Sequence, residues 1–295
     1  MILIAAIAFS FQSCKTENST TAINDDSAMQ MQQSNDESMQ KNESQVALND
    51  ASNAMENTGF GKTFSISGAS IDSVVVDKKL TITYNGNNAE GNRFRSGQII
   101  VQLTHGDHWK DENAVITITF INYKVTRILS GISIIFNGTW MITNVSGGLV
   151  RLLTAGTFVT HRVNGSMNIT FDDGTQRTWT ITCQRIIGLT NAGVTYISIS
   201  GFGTKDNLTN LLVTGTNRAG ISFYTIITSP IVLSSTCSWL PVSGTEIHKG
   251  IAKEISVTFG VDEIGNPVTP PACPYGFKIS WISFNGMQKQ AVINY

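Results

Sequence analysis

The residue whose type and position suggest the clearest chemistry is Cys14. It follows an uncharged apolar run at residues 2–11 and the pair Gln12 and Ser13. A run of about ten apolar residues is too short to span a bilayer, which takes about 20, but it has the length of the apolar part of an export signal. A small residue directly before a cysteine is typical of the site where bacterial lipoprotein signals are cleaved. The sequence therefore predicts a signal peptide at residues 1–13 and a lipidated N-terminus at Cys14.

Two features depart from the usual lipoprotein signal. Phe11 stands three residues before Cys14, where Leu is usual, and neither Lys nor Arg precedes the cysteine. We therefore expect the true start to lie upstream of Met1. Each buried methylene contributes about 0.8 kcal/mol, so two or three acyl chains would hold the chain at the outer membrane without a spanning helix.

A second group of residues could bind a divalent metal. His105, Asp107 and His108 place two imidazoles and a carboxylate within four residues. Two histidines at this spacing on a loop do not share the i, i+4 geometry of a helical metal site, and Gly106 and Asp107 suit a hairpin turn. The sequence favours a solvated loop, with these three residues as weak candidates and no cofactor.

The other histidines and the common catalytic motifs indicate no reaction. His161 and His248 have no catalytic partner nearby in sequence, and there is no nucleophile elbow, phosphate loop or recognisable pair of glycosidase carboxylates. Four aromatic residues could stack on sugar rings if they are exposed, or could belong to the core: Trp109, Trp140, Trp239 and Tyr275.

Three further cysteines could be oxidised in an envelope compartment. Cys237 and Cys273 are the preferred disulfide, since both lie in the turn-rich C-terminal third. Cys183 alternates with the buried face of a strand and is left as the free thiol.

Residues 14–58 read as a disordered acidic tether. After Cys14 they contain two basic and eight acidic residues, a net charge of −6, and no cluster of large apolar side chains. Such a composition cannot offset the entropy lost on ordering. As a coil of forty-odd residues its ends would lie about 35–40 Å apart. The remaining chain carries a net +5, with no basic stripe that would indicate nucleic acid.

Residues 59–295 are predicted to be an all-β domain. Apolar and polar residues alternate over Leu80 to Tyr84, Met167 to Phe171 and Trp179 to Cys183, which is typical of antiparallel strands with one buried face. Asn-Gly or Asp-Gly pairs at 85–86, 137–138, 164–165, 173–174 and 285–286 predict hairpin turns. The alternation changes phase near residue 121, which predicts a bulge, a bend or a change of sheet. We expect a hairpin meander that forms a sandwich or a curved, elongated sheet, with a possible seam at 188–193.

The chain resembles uncharacterised outer-membrane lipoproteins of Bacteroidetes-type bacteria. The resemblance covers the signal and roughly residues 80–187. It rests on Ser-Phe-Gln-Ser-Cys14-Lys, the polar spacer, Ser96-Gly97, Trp109-Lys-Asp-Glu-Asn-Ala114, Phe136-Asn-Gly-Thr139, Asn144-Val-Ser-Gly-Gly148 and Phe171-Asp-Asp-Gly-Thr175. It implies a β body in the cell envelope and lends no catalytic residue.

Three functions agree with these features. The first is a non-catalytic envelope module, facing the periplasm or the cell surface, that binds a glycan or an envelope protein. The second is a hydrolase of envelope polysaccharide, which needs two carboxyl groups about 5–10 Å apart in a cleft. The third is a periplasmic carrier of lipids or lipoproteins, which needs an open apolar trough.

Overall fold

We describe a computed structural model of the 295-residue chain. It describes residues 26–58, 65–74, 76–250, 254–283 and 285–295.

The described residues form one long helix and a series of strands. The helix is α1 (Asp26–Thr58), and short 3-10 turns lie at Val150–Leu152 and Ser235–Cys237. The strands are β1 (Ala69–Val74), β2 (Lys79–Asn87), β3 (Arg93–His105), β4 (Ala114–Arg127), β5 (Ser133–Asn144), β6 (Phe158–Phe171), β7 (Gln176–Leu189), β8 (Thr195–Gly201), β9 (Gly203–Lys205), β10 (Leu208–Thr216), β11 (Ser222–Ser234), β12 (Pro241–Lys249), β13 (Ile255–Val261), β14 (Gly276–Ile282) and β15 (Gln288–Asn294).

All of these strands belong to one antiparallel sheet, which confirms the predicted all-β class and hairpin meander. The hydrogen-bonded order follows the sequence from β1 to β7 and continues from β10 to β15. At the predicted seam the sheet is continuous. One half of β7 pairs with β8 and the other half with β10, so the connection at 190–194 is an ordinary hairpin within the sheet.

The sheet wraps around α1, and this corrects the prediction of a disordered tether for residues 26–58. Side chains from β3, β7 and β12 all bond to the helix, so strands surround it on several sides. The helix is about 50 Å long. Most of its side chains from Gln30 to Glu56 are buried, although its sequence is polar. The earlier part of the predicted tether, with Cys14 and the signal, lies outside the described residues.

The aromatic core lies on the concave face of the sheet. Trp140 and Trp179 pack with ring centroids 5.7 Å apart, and Phe120 meets Trp140 edge to face at 5.4 Å. The backbone of the Asn-Gly pair at 164–165 is inside β6, where a Cβ on Gly165 would overlap the Trp140 ring. Such close packing requires glycine at this point in the strand.

Three of the five predicted hairpin turns are wrong. The pairs at 85–86, 137–138 and 164–165 lie inside strands, whereas those at 173–174 and 285–286 lie between strands. The predicted break near residue 121 is a bulge in β4. The register shifts between Phe120 and Tyr123, Asn122 has a positive φ of 48°, and Gly97 of β3 faces the bulge.

Candidate functional site

The predicted lipidation site, Cys14, lies outside the described residues. Within the described part of the chain, no helix is long and apolar enough to cross a membrane.

The loop that carries His105 and His108 is held by an ion pair and a hydrogen bond of Asp107 and Asp111. Asp107 pairs with Lys78 at 3.4 Å, and the Asp111 carboxylate accepts a hydrogen bond from the His108 backbone at 2.8 Å. His105 ends β3 and is exposed. Over the described ranges, no group of three or more His, Cys, Asp or Glu side chains is placed to hold a metal ion.

His161 and His248 are buried on the concave face of the sheet. Burial lowers the pKa of His161 to about 3, with the nearby Arg185 guanidinium as a second cause. Burial also lowers the pKa of His248 well below its usual value, and its Nδ1 lies 2.8 Å from the Thr225 hydroxyl. Both rings are therefore neutral at pH 7 and belong to the packed interior.

The cysteines occupy two different environments. Cys237 and Cys273, the pair expected from the sequence, are joined in a disulfide with Cα atoms 5.4 Å apart. Cys183 is a buried free thiol whose pKa is raised to about 12, because burial disfavours the thiolate. A protonated thiol at this depth is a poor nucleophile.

Of the four candidate stacking residues, Trp109 and Trp140 are buried and cannot meet a sugar ring. Tyr275 is exposed, and Trp239 is half-buried against the edge of the core. Trp239 also lines a large cleft.

This cleft has a volume of about 840 Å³ and runs along one side of α1. Helix residues form its floor. One wall comes from the segment before β1, the β2–β3 and β4–β5 turns, and parts of β3 and β4; the other comes from residues 238–240 and the last two residues of the chain. The cleft therefore lies between the first and the last parts of the sheet, where the helix is not covered by strands. Its volume is within the range of ligand sites, about 300–1,000 Å³.

The floor of the cleft carries a row of asparagines. Asn35, Asn42 and Asn49 line it at intervals of seven residues, and Asn53 follows one turn later. Residues seven apart on a helix face nearly the same way. Three more asparagines line the walls: Asn88, Asn92 and Asn294. We call Asn35, Asn42 and Asn49 the asparagine row.

Two helix carboxylates in the cleft are paired with arginines of β3 and β4. Glu43 accepts hydrogen bonds from Arg93 at 2.9 Å and Arg127 at 3.2 Å. Asp50 bonds to Arg95 at 2.7 Å and accepts a hydrogen bond from the Tyr84 hydroxyl at 3.1 Å.

Burial raises the pKa of Asp50, while Arg95 acts against that rise. Both helix carboxylates in the cleft, Glu43 and Asp50, are thus occupied by arginines. This arrangement positions the helix, and Glu90 of the β2–β3 turn is the one carboxylate side chain of the cleft lining without an arginine partner among the described residues.

Trp239 is held in the cleft wall by its local backbone. Ser238 and Trp239 both have positive φ, 54° and 62°, which is rare for a bulky residue and is found where surrounding structure enforces it. The Trp239 amide donates to the Ser234 carbonyl at 2.9 Å, and the disulfide joins Cys237, two residues earlier, to Cys273. The crosslink therefore fixes the segment that presents Trp239.

Sequence reasoning had identified Trp239 and missed the helix residues of the cleft. The signal that could have found them was charge. A stretch with net −6 precedes a body with net +5, and the structure pairs four helix carboxylates with arginines of the sheet and its turns. Comparison with known proteins gives no further guide, because no protein-family model, curated protein or solved structure matches the chain.

Proposed function

We propose that this chain is a lipid-anchored protein of the bacterial outer membrane whose β body binds a glycan without cleaving it. The observation that supports binding is the cleft, which is large, rich in amide side chains and internally neutral in charge. Amides both donate and accept hydrogen bonds, as sugar hydroxyls do. The cleft is lined by three carboxylates and three arginines, whose side-chain charges sum to zero, and this balance suits a neutral ligand better than an ionic one. The proposed location is taken from the resemblance of the sequence to Bacteroidetes-type lipoproteins.

The alternatives have less support. In the hydrolase hypothesis two carboxyl groups in the cleft must be available, but Glu43 and Asp50 are bound by arginines, and Glu90 is the one carboxylate side chain of the described lining that is not. In the carrier hypothesis the concave face must hold an acyl chain, but α1 fills it. Between the helix and the apolar side chains of β7, β8 and β11 there is a cavity of about 20 Å³, which is room for about one water molecule.

The anchor would hold the cleft close to the membrane. Asp26, where α1 begins, is twelve residues from Cys14, so the intervening chain can reach at most about 40 Å. This reach is shorter than that of the tether of 44 residues after Cys14 that the sequence predicted.

Anchoring is tested by metabolic labelling with a radioactive or clickable fatty acid. Labelling is expected in the wild type and in Cys183→Ala, which removes a thiol inside the folded body, and is expected to vanish in Cys14→Ala. Equal labelling of Cys14→Ala and the wild type would overturn the anchor.

Binding is tested with the full mature protein in detergent and an array of neutral and charged oligosaccharides. We expect a neutral oligosaccharide to bind, and Trp239→Ala to weaken it by tenfold or more, about 1.4 kcal/mol. Tyr275→Ala is the matched control, because Tyr275 is an exposed aromatic residue outside the cleft lining. The proposal fails if no oligosaccharide binds, or if Tyr275→Ala weakens binding as much as Trp239→Ala does.

A further inference from the structure

The disulfide joins two connections of the sheet, one of which forms a wall of the cleft. Cys237 lies in the connection from β11 to β12, and residues 238–240 of that connection line the cleft. Cys273 lies in the connection from β13 to β14, where residues 269–273 are exposed. The disulfide is therefore a covalent link between a solvent-exposed loop and the segment that presents Trp239.

The backbone of this wall segment is held in an unfavourable conformation. Ser238 directly follows a 3-10 turn, where a left-handed residue commonly ends a helical turn. Trp239 comes one residue later and is also left-handed, which its Cβ disfavours. Such a backbone persists only while the surrounding structure enforces it.

Three restraints enforce this backbone. The Trp239 amide donates to the Ser234 carbonyl at 2.9 Å, and the Leu240 amide donates to the Cys237 carbonyl at 3.0 Å. The third restraint is the bond from Cys237 to Cys273. Breaking that bond leaves the two hydrogen bonds alone against the left-handed strain, so the segment can relax and carry the Trp239 ring out of its place.

We propose that the Cys237–Cys273 disulfide is a redox switch of the cleft. When the disulfide is oxidised, Trp239 is held in the wall and the glycan binds; when it is reduced, residues 238–240 relax and binding weakens. This inference rests on the proposed function and adds to it the control of the binding site by the thiol–disulfide balance of the cell envelope.

The two sulfur atoms differ in access, and this sets the order of the exchange. Cys273 is exposed, whereas Cys237 is 6% exposed. A thiolate of a dithiol reductant attacks the Cys273 sulfur, the S–S bond breaks, and Cys237 leaves as a thiolate that takes up a proton. The second thiol of the reductant then attacks its own sulfur in the mixed disulfide and releases Cys273 as a thiol. The dithiol loses two electrons and two protons and becomes a disulfide, and the two cysteines gain them.

The tryptophans provide a measurement of the wall that needs no ligand. The chain contains five tryptophans. Four are 4% exposed or less, namely Trp109, Trp140, Trp179 and Trp281, whereas Trp239 is only partly buried. Quenching of tryptophan fluorescence by acrylamide therefore reports mainly on Trp239.

The test uses the full chain with Cys14→Ala in detergent, so that every remaining cysteine lies in the described body. Reduction with dithiothreitol is expected to raise the acrylamide quenching constant by about twofold or more, because the relaxed Trp239 ring meets solvent. It is also expected to weaken binding of the preferred oligosaccharide by about fivefold or more, about 1 kcal/mol. The double variant Cys237→Ala and Cys273→Ala should show the reduced values with and without reductant.

Two controls separate a local change from a general one. Trp239→Phe leaves only buried tryptophans, so its quenching constant should be the same before and after reduction. Cys183 is a buried free thiol, so a maleimide should label two thiols of the reduced chain while the body stays folded and three when it unfolds.

The outcomes separate this inference from the proposed function. If two thiols are labelled and either the quenching constant or the affinity is unchanged, the switch is wrong while glycan binding by the oxidised chain stands. If three thiols are labelled, the switch is also wrong, because reduction then unfolds the body as a whole. If the oxidised chain binds no oligosaccharide, both the switch and the proposed function are wrong.

Discussion

The burial of His161 makes a quantitative prediction about stability and pH. Its ring lies 5.0 Å from the Trp109 ring, and neither ring nitrogen has a hydrogen-bond partner in the described residues. Burial, with Arg185 as the second cause, lowers its pKa to about 3 in the folded protein. In the unfolded chain the pKa of histidine is about 6.5. Between about pH 6.5 and pH 3, the His161 ring is therefore protonated in the unfolded state and neutral in the folded state.

The size of the effect follows from the two pKa values. The stabilising contribution is fully present above pH 6.5 and is lost as the pH falls towards about 3. Between pH 7 and pH 5, His161 alone removes about 2 kcal/mol from the free energy of unfolding. His248 acts in the same direction, because burial also lowers its pKa.

Buried carboxyl groups act in the opposite direction and must be separated from this effect. Burial raises the pKa values of Asp36, Asp50, Glu56 and Glu246. Their contributions are present at low pH and are lost as the pH rises through the folded-state pKa. The pH dependence of the wild type alone is thus a sum of opposing parts, and a comparison with a variant is needed.

The assay is denaturant unfolding at pH 7 and pH 5 for the wild type, His161→Gln and His105→Gln. His161→Gln is expected to be less stable than the wild type at pH 7, because it disturbs the contact with Trp109. Its loss of stability between the two pH values should nevertheless be smaller than that of the wild type by about 2 kcal/mol. His105→Gln changes an exposed histidine and should keep the wild-type loss. The same loss in His161→Gln and the wild type would refute the reasoning.

Three other perturbations test how the helix, the bulge and the cleft wall are held. Arg177→Met leaves the buried Glu37 carboxylate without its cationic partner and should cost about 3–5 kcal/mol in denaturant unfolding, whereas adding Glu37→Gln should recover part of the loss; an unchanged midpoint in the single variant would contradict this. Gly97→Ala places a Cβ against the Asn122 backbone in the bulge and should lower the melting temperature far more than Gly131→Ala, which has a similar positive φ and open space, so equal shifts would contradict the packing argument. Reducing the disulfide at Cys273 opens a loop of 36 residues and should lower stability by about 3–4 kcal/mol, measured by unfolding with and without reductant; no change would show that the loop is held by packing alone.

The strands could be predicted from the sequence, but their lengths could not. Alternation of apolar and polar residues identified β2, β6 and β7 correctly. Asn-Gly pairs were interpreted as turns, since turns are where positive φ is most often needed. In β5 and β6 the glycines serve close contact between neighbouring strands, and Gly165 makes room for the Trp140 ring. A single sequence does not distinguish the two uses of glycine.

The helix could not be found from hydropathy, because most of the side chains that α1 buries are polar, and its apolar contribution to the core is limited to Met39, Ala47, Leu48, Ala51, Ala54 and Met55. Gln30, Gln33 and Gln40 are all buried although each is polar. The rule that a segment without large apolar residues cannot pay the ordering entropy assumes that it must build its own core. Here the sheet supplies the apolar surface and the counter-charges. The asparagine row was hidden for the same reason, since its residues gain a shared direction only once the segment is a helix.

The enclosure of α1 has a mechanical consequence. If the chain is held by acyl groups at Cys14, a force between the membrane and the body reaches the described part of the chain at Asp26, where α1 begins, and acts along the helix. Contacts of Asp36, Glu43 and Glu56 with the surrounding elements then resist the pull together, in shear, and do not open one after another. Forced unfolding depends on the unfolding rate. A body loaded in this way resists detachment by many contacts at once.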